Sequence, residues 1–146
     1  MAYHFHDGVS ERVGARALLR FAEDVRTWPE RFEPGGEIDG TLLLLRVLEG
    51  PLTGGGFGRK LYAPFLAEAA ELLEAPALRA LGAQFRRSAE GWKAFVAELQ
   101  SARRRGAPEA VRAGLREAVE RHAPALVEQE RRQMDGLAAW CDGRAA

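Results

Sequence analysis

Cysteine is almost absent from this sequence, with Cys141 the one example among 146 residues. An intrachain disulfide is therefore excluded, and the cysteine content does not indicate a redox compartment. Long hydrophobic runs are missing too, since the leucines at residues 42–45 are followed at once by Arg46 and are too few to cross a bilayer. No apolar signal-peptide core follows Met1, so we expect a cytoplasmic protein without a membrane partner.

The chain also lacks an excess of charge of either sign, because 21 Lys and Arg residues balance 21 Asp and Glu residues. A general nucleic-acid-binding role is therefore not expected. The two halves differ in charge: residues 1–75 carry a net −4 and residues 76–146 a net +4. We interpret this difference as helices whose solvated faces differ in sign.

Familiar catalytic and metal-binding motifs are missing as well. The sequence contains no Gly-x-Ser-x-Gly, His-Glu-x-x-His, Cys-x-x-Cys or calcium-loop pattern. His4 and His6 lie two residues apart near the start, but a pair with only Asp7 beside it is a weak metal site. We therefore expect no metal, no cofactor and no catalytic residue, and we favour a non-enzymatic role.

Apolar residues recur at spacings of three and four along the chain, which predicts an all-α fold. After a flexible N-terminal segment at residues 1–9, Ser10 is a suitable N-cap for a helix that Pro29 ends. A second helix, apolar nearly all round, is expected between residue 38 and Gly50. Residues 10–146 are predicted to form a single helical domain, a compact bundle of about five to six helices.

The clearest period lies in residues 76–104, where Pro76 suits the first helical position. This segment is predicted to be the spine of an intrachain bundle, with pairing to another chain as the alternative. Its heptad-like seam consists of Leu78, Leu81, Phe85, Ser88, Trp92, Phe95 and Leu99.

Two further helices are predicted to begin at Pro108 and near Pro124. On the first, His122 is interpreted as a packing residue, with a proton shuttle or ligand as the alternative. On the second, Glu130 lies within an apolar stripe and either pairs with an arginine across a helix interface or sits at the edge of the seam. Cys141 is interpreted as part of a packed helix end, because no base lies near it in sequence.

The most distinctive stretch is the glycine-rich loop that ends at Gly58 and runs into a helix. Consecutive glycines allow a close backbone approach to a ligand, and cations at a helix start suit a phosphate or carboxylate. The lysine is not followed by Ser or Thr, so the Walker A spacing does not fit. The alternative is a flexible connector between packed helices. The candidate ligand or partner contacts are Gly54, Gly55, Gly56, Arg59, Lys60 and Tyr62.

The helix that follows this loop contains Pro64, which either starts it or kinks a longer helix at residues 57–74. Its glutamates are expected to lie largely outside. Its predicted core face consists of Phe65, Leu66, Ala69, Leu72 and Leu73.

Several separated segments carry a family resemblance: residues 21–32, the loop at 53–62, residues 65–70 and Trp92. Together they resemble the C-terminal helical domain of butirosin-biosynthesis-protein-H-type acyltransferases. The order and spacing agree over residues 10–100, whereas the last third of the chain matches less recognisably.

In that family a cysteine-protease-like N-terminal domain carries the nucleophile and passes an acyl group from a carrier protein to an amine, such as that of an aminoglycoside. The helical domain of the family has no assigned function. The catalytic domain has no counterpart in this sequence, and Cys141 matches no nucleophile of the family. The resemblance therefore implies a non-catalytic accessory or docking domain that acts with an acyltransferase or an acyl carrier protein in specialised metabolism.

Two other interpretations stay open from the sequence. One is a small-molecule-binding protein or an unrecognised enzyme whose pocket opens at the loop of residues 54–60. The other is a self-associating structural domain, a homo-oligomer that uses the seam of residues 78–99 and the opposite charges of its halves.

Overall fold

The computed structural model describes residues 58–144 together with single positions before them. Three helices fill the continuous part: α1 at Arg59–Leu72, α2 at Pro76–Arg103 and α3 at Pro108–Arg144. Residues 58–144 contain no strand, which confirms the predicted all-α class. The earlier described positions are also helical, and they are Arg20, Asp24, Thr27, Gly40, Leu43, Leu45, Arg46, Leu48 and Glu49.

Several predictions fall outside the described residues. These are the segment at residues 1–9, the ends of the helices expected after Ser10 and residue 38, and Gly54, Gly55 and Gly56 of the loop. The described part therefore holds three helices, where the sequence predicted about five to six for the whole chain.

Helix α1 begins directly after Gly58, whose φ of 80° is a left-handed conformation that glycine adopts easily. Pro64 lies inside α1, five residues after its start at Arg59, so it does not open the helix. The helix is shorter than the predicted 57–74 and turns back after Leu72. Its buried side is lined by small and medium side chains, namely Ala63, Leu66 and Ala70.

Helix α2 is the central element, since both α1 and α3 pack against it. Pro76 occupies its first turn, where the missing N–H has no helical partner to lose. All seven residues of the predicted seam are buried, which confirms α2 as the spine of an intrachain bundle. Gly106, with a φ of 78°, follows the end of α2 and allows the turn into α3.

Two core clusters lie along α2. One joins its N-terminal half to α1 and to Leu137 and Trp140 near the end of α3. The other joins its C-terminal half to the first part of α3 and to Leu48. The buried members of this second cluster are Leu48, Trp92, Phe95, Val96, Leu99, Val111, Leu115, Ala118, Val119, Ala123 and Leu126.

Helix α3 is continuous through Pro124, so the prediction of separate helices from Pro108 and Pro124 was wrong. An interior proline removes one backbone hydrogen bond, and the sequence suggests a new start for that reason. Residues on both sides of it, Ala123 and Leu126, are buried in the core cluster with α2. Tertiary packing therefore outweighs the local preference of proline.

The helices cross α2 closely where side chains are smallest. A Cβ placed on Gly114 would lie 2.6 Å from the Cβ of Ala102, and one on Gly82 would lie 3.1 Å from the carbonyl oxygen of Ala63. Glycine at these two positions therefore allows the backbones of α3 and α1 to approach α2.

Candidate functional site

Glu130 is a completely buried carboxylate in the C-terminal half of α3. A charge removed from water is unfavourable unless it has close partners of opposite charge and hydrogen-bond donors. The groups around Glu130 therefore indicate whether its carboxylate has a catalytic or a structural role.

Four donor groups surround the Glu130 carboxylate. Oε1 accepts hydrogen bonds from Arg59 Nε at 2.8 Å, Ser88 Oγ at 2.8 Å and Trp92 Nε1 at 2.9 Å. Oε2 accepts a further bond from Arg59 Nη2. The two parallel Arg59 bonds form the fork that guanidinium and carboxylate groups favour. We call Arg59, Ser88, Trp92 and Glu130 the buried anchor.

The buried anchor joins all three helices at one point. Arg59 is the first residue of α1, directly after Gly58, while Ser88 and Trp92 lie one turn apart on α2. The guanidinium carbon of Arg59 also lies 5.9 Å from the centre of the Trp92 ring, within the range of a cation–π contact. The end of the glycine-rich loop is therefore held against the bundle by a charged contact.

The anchor settles a question about Glu130 that the sequence left open. Glu130 pairs with an arginine across a helix interface, one of the two alternatives stated for it. Ser88, the polar exception in the α2 seam, is a donor to that carboxylate. The sequence pattern marks Glu130 as a polar residue within an apolar stripe, but only the fold shows that Arg59 and Ser88 both donate to its carboxylate.

Three of the six candidate contact residues are described, and they point in different directions. Arg59 faces inward, with 13% of its side chain exposed and its guanidinium bonded to Glu130. An anion that used Arg59 would have to compete with that carboxylate. Lys60 faces outward, with its Nζ 3.9 Å from the Glu49 carboxylate. Tyr62 is half exposed and stacks on Phe85 at a centroid distance of 5.1 Å.

An exposed apolar face lies on α1 opposite its buried side. Leu61 is 62% exposed, Phe65 60% and Leu72 85%. With 3.6 residues per turn, these three side chains project within about 40° of one another. We call Leu61, Phe65 and Leu72 the α1 apolar face.

This face corrects the predicted core face of α1. Leu66 is buried as expected, but Phe65, Leu72 and Leu73 are exposed. The helix carries two apolar arcs, and the arc that packs on α2 contains the small residues Ala63 and Ala70. The prediction placed the larger apolar side chains in the core, and most of these lie on the exposed arc.

His122 packs where the sequence placed it, on the side of α3 that faces α2. Its ring lies 5.8 Å from that of Phe95, and its Nε2 is 3.1 Å from Glu98 Oε1 without the alignment of a good hydrogen bond. Arg121 Nη1 donates to the same oxygen at 2.7 Å. Burial raises the pKa of Glu98, but the contacts with His122 and Arg121 outweigh it, so the pKa lies below its usual range.

Other potential reactive groups are dispersed. Cys141 is exposed on α3, which corrects its predicted place in a packed helix end, although Trp140 does pack against the core. The described residues contain no group of three His, Cys, Asp or Glu side chains that could hold a metal ion. Across that same part of the chain, no helix has the length and apolar character needed to cross a membrane.

Comparison with known proteins places the chain in a family. A family model described as "Domain of unknown function (DUF4872)" matches residues 1–137. No curated protein and no solved structure matches the chain.

Proposed function

Because this chain belongs to the DUF4872 family of domains of unknown function, we propose its function from its surfaces: it is a non-catalytic accessory domain that docks an acyltransferase-type catalytic domain. The docking surface is the α1 apolar face. The partner comes from the resemblance to the helical domain of butirosin-H-type acyltransferases, in which such a domain accompanies a cysteine-protease-like catalytic domain.

The observation that carries this proposal is the exposure of Leu61, Phe65 and Leu72 on one side of a single helix. Burying a large apolar side chain contributes about 1.5–3 kcal/mol to the free energy of association. Three such residues can therefore stabilise a complex substantially. An apolar patch with a charged border is typical of a protein interaction site. Lys60 and Glu68 are exposed at its border.

The buried anchor supports the same function. It fixes the first residue of α1 to α2 and α3, so the helix does not have to be ordered when a partner arrives. Preorganisation of this kind reduces the entropy lost on binding. In this proposal, the buried charges serve to hold a recognition helix in place.

The charges on α1 favour a catalytic domain over an acyl carrier protein as the occupant. Carrier proteins are acidic, and Lys60 suits them, but Glu68 and Glu71 are exposed in the C-terminal half of α1 and Glu74 is exposed just beyond its end. Like charges facing one another oppose association. A small-molecule site at the loop is also less favoured, because the Arg59 guanidinium is bonded to Glu130.

Affinity capture from a lysate of the source organism, followed by reconstitution, tests the proposal. We expect capture of a protein with a cysteine-protease-like acyltransferase domain, which is then purified and titrated against the accessory domain by calorimetry. Leu61→Ser/Phe65→Ser should weaken that binding at least about tenfold, because it removes two apolar contacts. Arg132→Ala is the matched control, since Arg132 is 72% exposed on α3, and it should bind as the wild type does.

Two results would overturn the proposal. One is that no protein with such a catalytic domain binds the wild type after purification. The other is that it binds the wild type and the Leu61→Ser/Phe65→Ser variant equally. Circular dichroism is recorded on every variant first, so that lost binding is not confused with lost helix.

A further inference from the structure

The charges of α1 run against its helix dipole. Arg59 and Lys60 occupy its first two positions, its first turn has no acidic residue, and its last turn has no basic one. Glu68 and Glu71 lie in its C-terminal half, and Glu74 lies two residues beyond its last residue, Leu72. A helix is stabilised by acidic groups at its N-terminus and basic groups at its C-terminus, so α1 has the unfavourable order at both ends.

Contacts within the chain compensate only part of this charge. Arg59 is neutralised by Glu130, Lys60 Nζ is 3.9 Å from Glu49, and Arg79 Nη2 is 3.5 Å from Glu71. Among the residues that the structure describes, Glu68 and Glu74 have no ion-pair partner. The acidic end of α1 therefore keeps charge available for another molecule.

The α1 apolar face has the spacing of a helix-pairing seam. Leu61, Phe65, Glu68 and Leu72 follow at intervals of four, three and four residues, which is the heptad pattern of paired helices. The seam is about 16 Å long, since each residue rises by about 1.5 Å.

We propose that in the free protein a second copy of this chain covers the α1 apolar face, with the two α1 helices antiparallel about a two-fold axis. This arrangement places Leu61 of one copy against Leu72 of the other, and the Lys60 end against the Glu74 end. The helix dipoles and the charges at both ends then attract across the interface. A parallel arrangement would instead bring Glu68 against Glu68 and like poles together.

The inference goes beyond the proposed function, because it concerns what covers the face before a catalytic domain binds there. The self-association is a modest one, since only a short helix seam is buried and small interfaces of this kind belong to transient complexes. A docking partner that buries more surface displaces the second copy.

Analytical ultracentrifugation of the purified full chain tests the inference, over a range from about 1 µM to about 500 µM that brackets weak interfaces. The average mass should rise from monomer to dimer with concentration. Leu72→Ser should shift the dissociation constant upward by about tenfold or more. Leu72 is 85% exposed, so this variant keeps its fold. Met134→Ser is the control for non-specific hydrophobic association, because Met134 is an apolar residue on α3 that is 37% exposed. This variant should leave the dissociation constant of the dimer unchanged.

A charge swap tests the antiparallel arrangement. Lys60→Glu and Glu74→Lys should each weaken the dimer, and the double variant should restore it. Lys60 and Glu74 lie at opposite ends of α1, a helix about 20 Å long, so a rescue has to arise between copies and not within one.

Three outcomes would overturn the inference. The protein could be a monomer throughout the concentration range, or Leu72→Ser could leave the dissociation constant of the dimer unchanged. The third is that the double variant Lys60→Glu/Glu74→Lys does not restore the dimer that the single variants weaken. A monomer leaves the docking proposal intact, since partner binding is measured at concentrations where the protein is already monomeric. A dimer in a protein that binds no acyltransferase domain leaves this inference intact and removes the docking proposal.

Discussion

Arg59 and Glu130 are 71 residues apart in the chain, and their side chains meet as a two-point ion pair inside the protein. The pair brings the start of α1 onto the C-terminal half of α3, with Ser88 and Trp92 of α2 completing the donors. Removing one partner of a buried pair leaves the other charge without compensation. The pair therefore gives the sharpest test of the fold.

Glu130→Ala should destabilise the protein by about 3–5 kcal/mol, because it removes the carboxylate that pairs with the Arg59 guanidinium and accepts hydrogen bonds from Ser88 and Trp92 in the interior. Urea unfolding followed by tryptophan fluorescence measures the change. The double variant Arg59→Met/Glu130→Leu should recover part of this loss, since apolar groups replace both charges, whereas Ser88 and Trp92 still lose their shared acceptor.

Glu128→Ala is the control for this series, because Glu128 lies on the same helix and bonds to Arg131 and Arg132 at the surface. Exposed ion pairs contribute little to stability, so its effect should be much smaller than that of Glu130→Ala. Equal effects of the two alanine variants would show that Glu130 is not an anchor.

Gly114→Ala should destabilise the bundle by about 1–3 kcal/mol, even though alanine is the better helix former. The added Cβ would lie 2.6 Å from Ala102 Cβ, which has no rotamer by which to move away. Thermal unfolding measures the shift. Gly143→Ala is the matched control on the same helix, because nothing lies within 4 Å of its added Cβ, and it should be neutral or slightly stabilising.

The Glu98 carboxylate should give a stability contribution that disappears in acid. Its pKa is lower in the folded protein than its ordinary value, because the contacts with His122 and Arg121 outweigh the effect of burial. The unfolded chain therefore binds the proton more readily. The contribution is complete above about pH 4.3, the ordinary glutamate value, and is lost as the pH falls through the lower folded pKa.

Urea unfolding of the wild type and Glu98→Gln between neutral and acidic pH measures this dependence. The wild type should be the more stable at pH 7, and the two curves should converge in acid. Glu90→Gln, at an exposed position on the same helix, controls for the general loss of a negative charge. A difference that stays constant with pH would contradict the assignment.

The α2 helix shows where sequence reasoning succeeds. A single strong period from Leu78 to Leu99, opened by a proline, predicted both the helix and its buried side. The signal was clear because α2 packs on two neighbours and needs apolar residues along most of its length. Ser88 interrupts that apolar pattern because its hydroxyl donates a hydrogen bond to the buried Glu130 carboxylate.

The errors have physical causes of their own. Pro124 predicts a helix start when only nearby residues are considered, but packing of the residues around it onto α2 keeps α3 continuous. The buried side of α1 is chosen by the close approach at Gly82, which favours Ala63 and not the larger Phe65. Arg59 was identified as a candidate contact, but its partner lies 71 residues away, and no local pattern reveals it.

The continuity of α3 has a consequence for how the protein opens. Its C-terminal half carries Glu130, and its removal from α2 would release Arg59 and the first turn of α1 in the same step. The hydrogen-bonded backbone amides of α1 from Phe65 onward and those around Glu130 therefore belong to one cooperative unit and should show a common free energy of opening in hydrogen exchange. Opening of the C-terminal half of α3 is in this way transmitted to the start of α1.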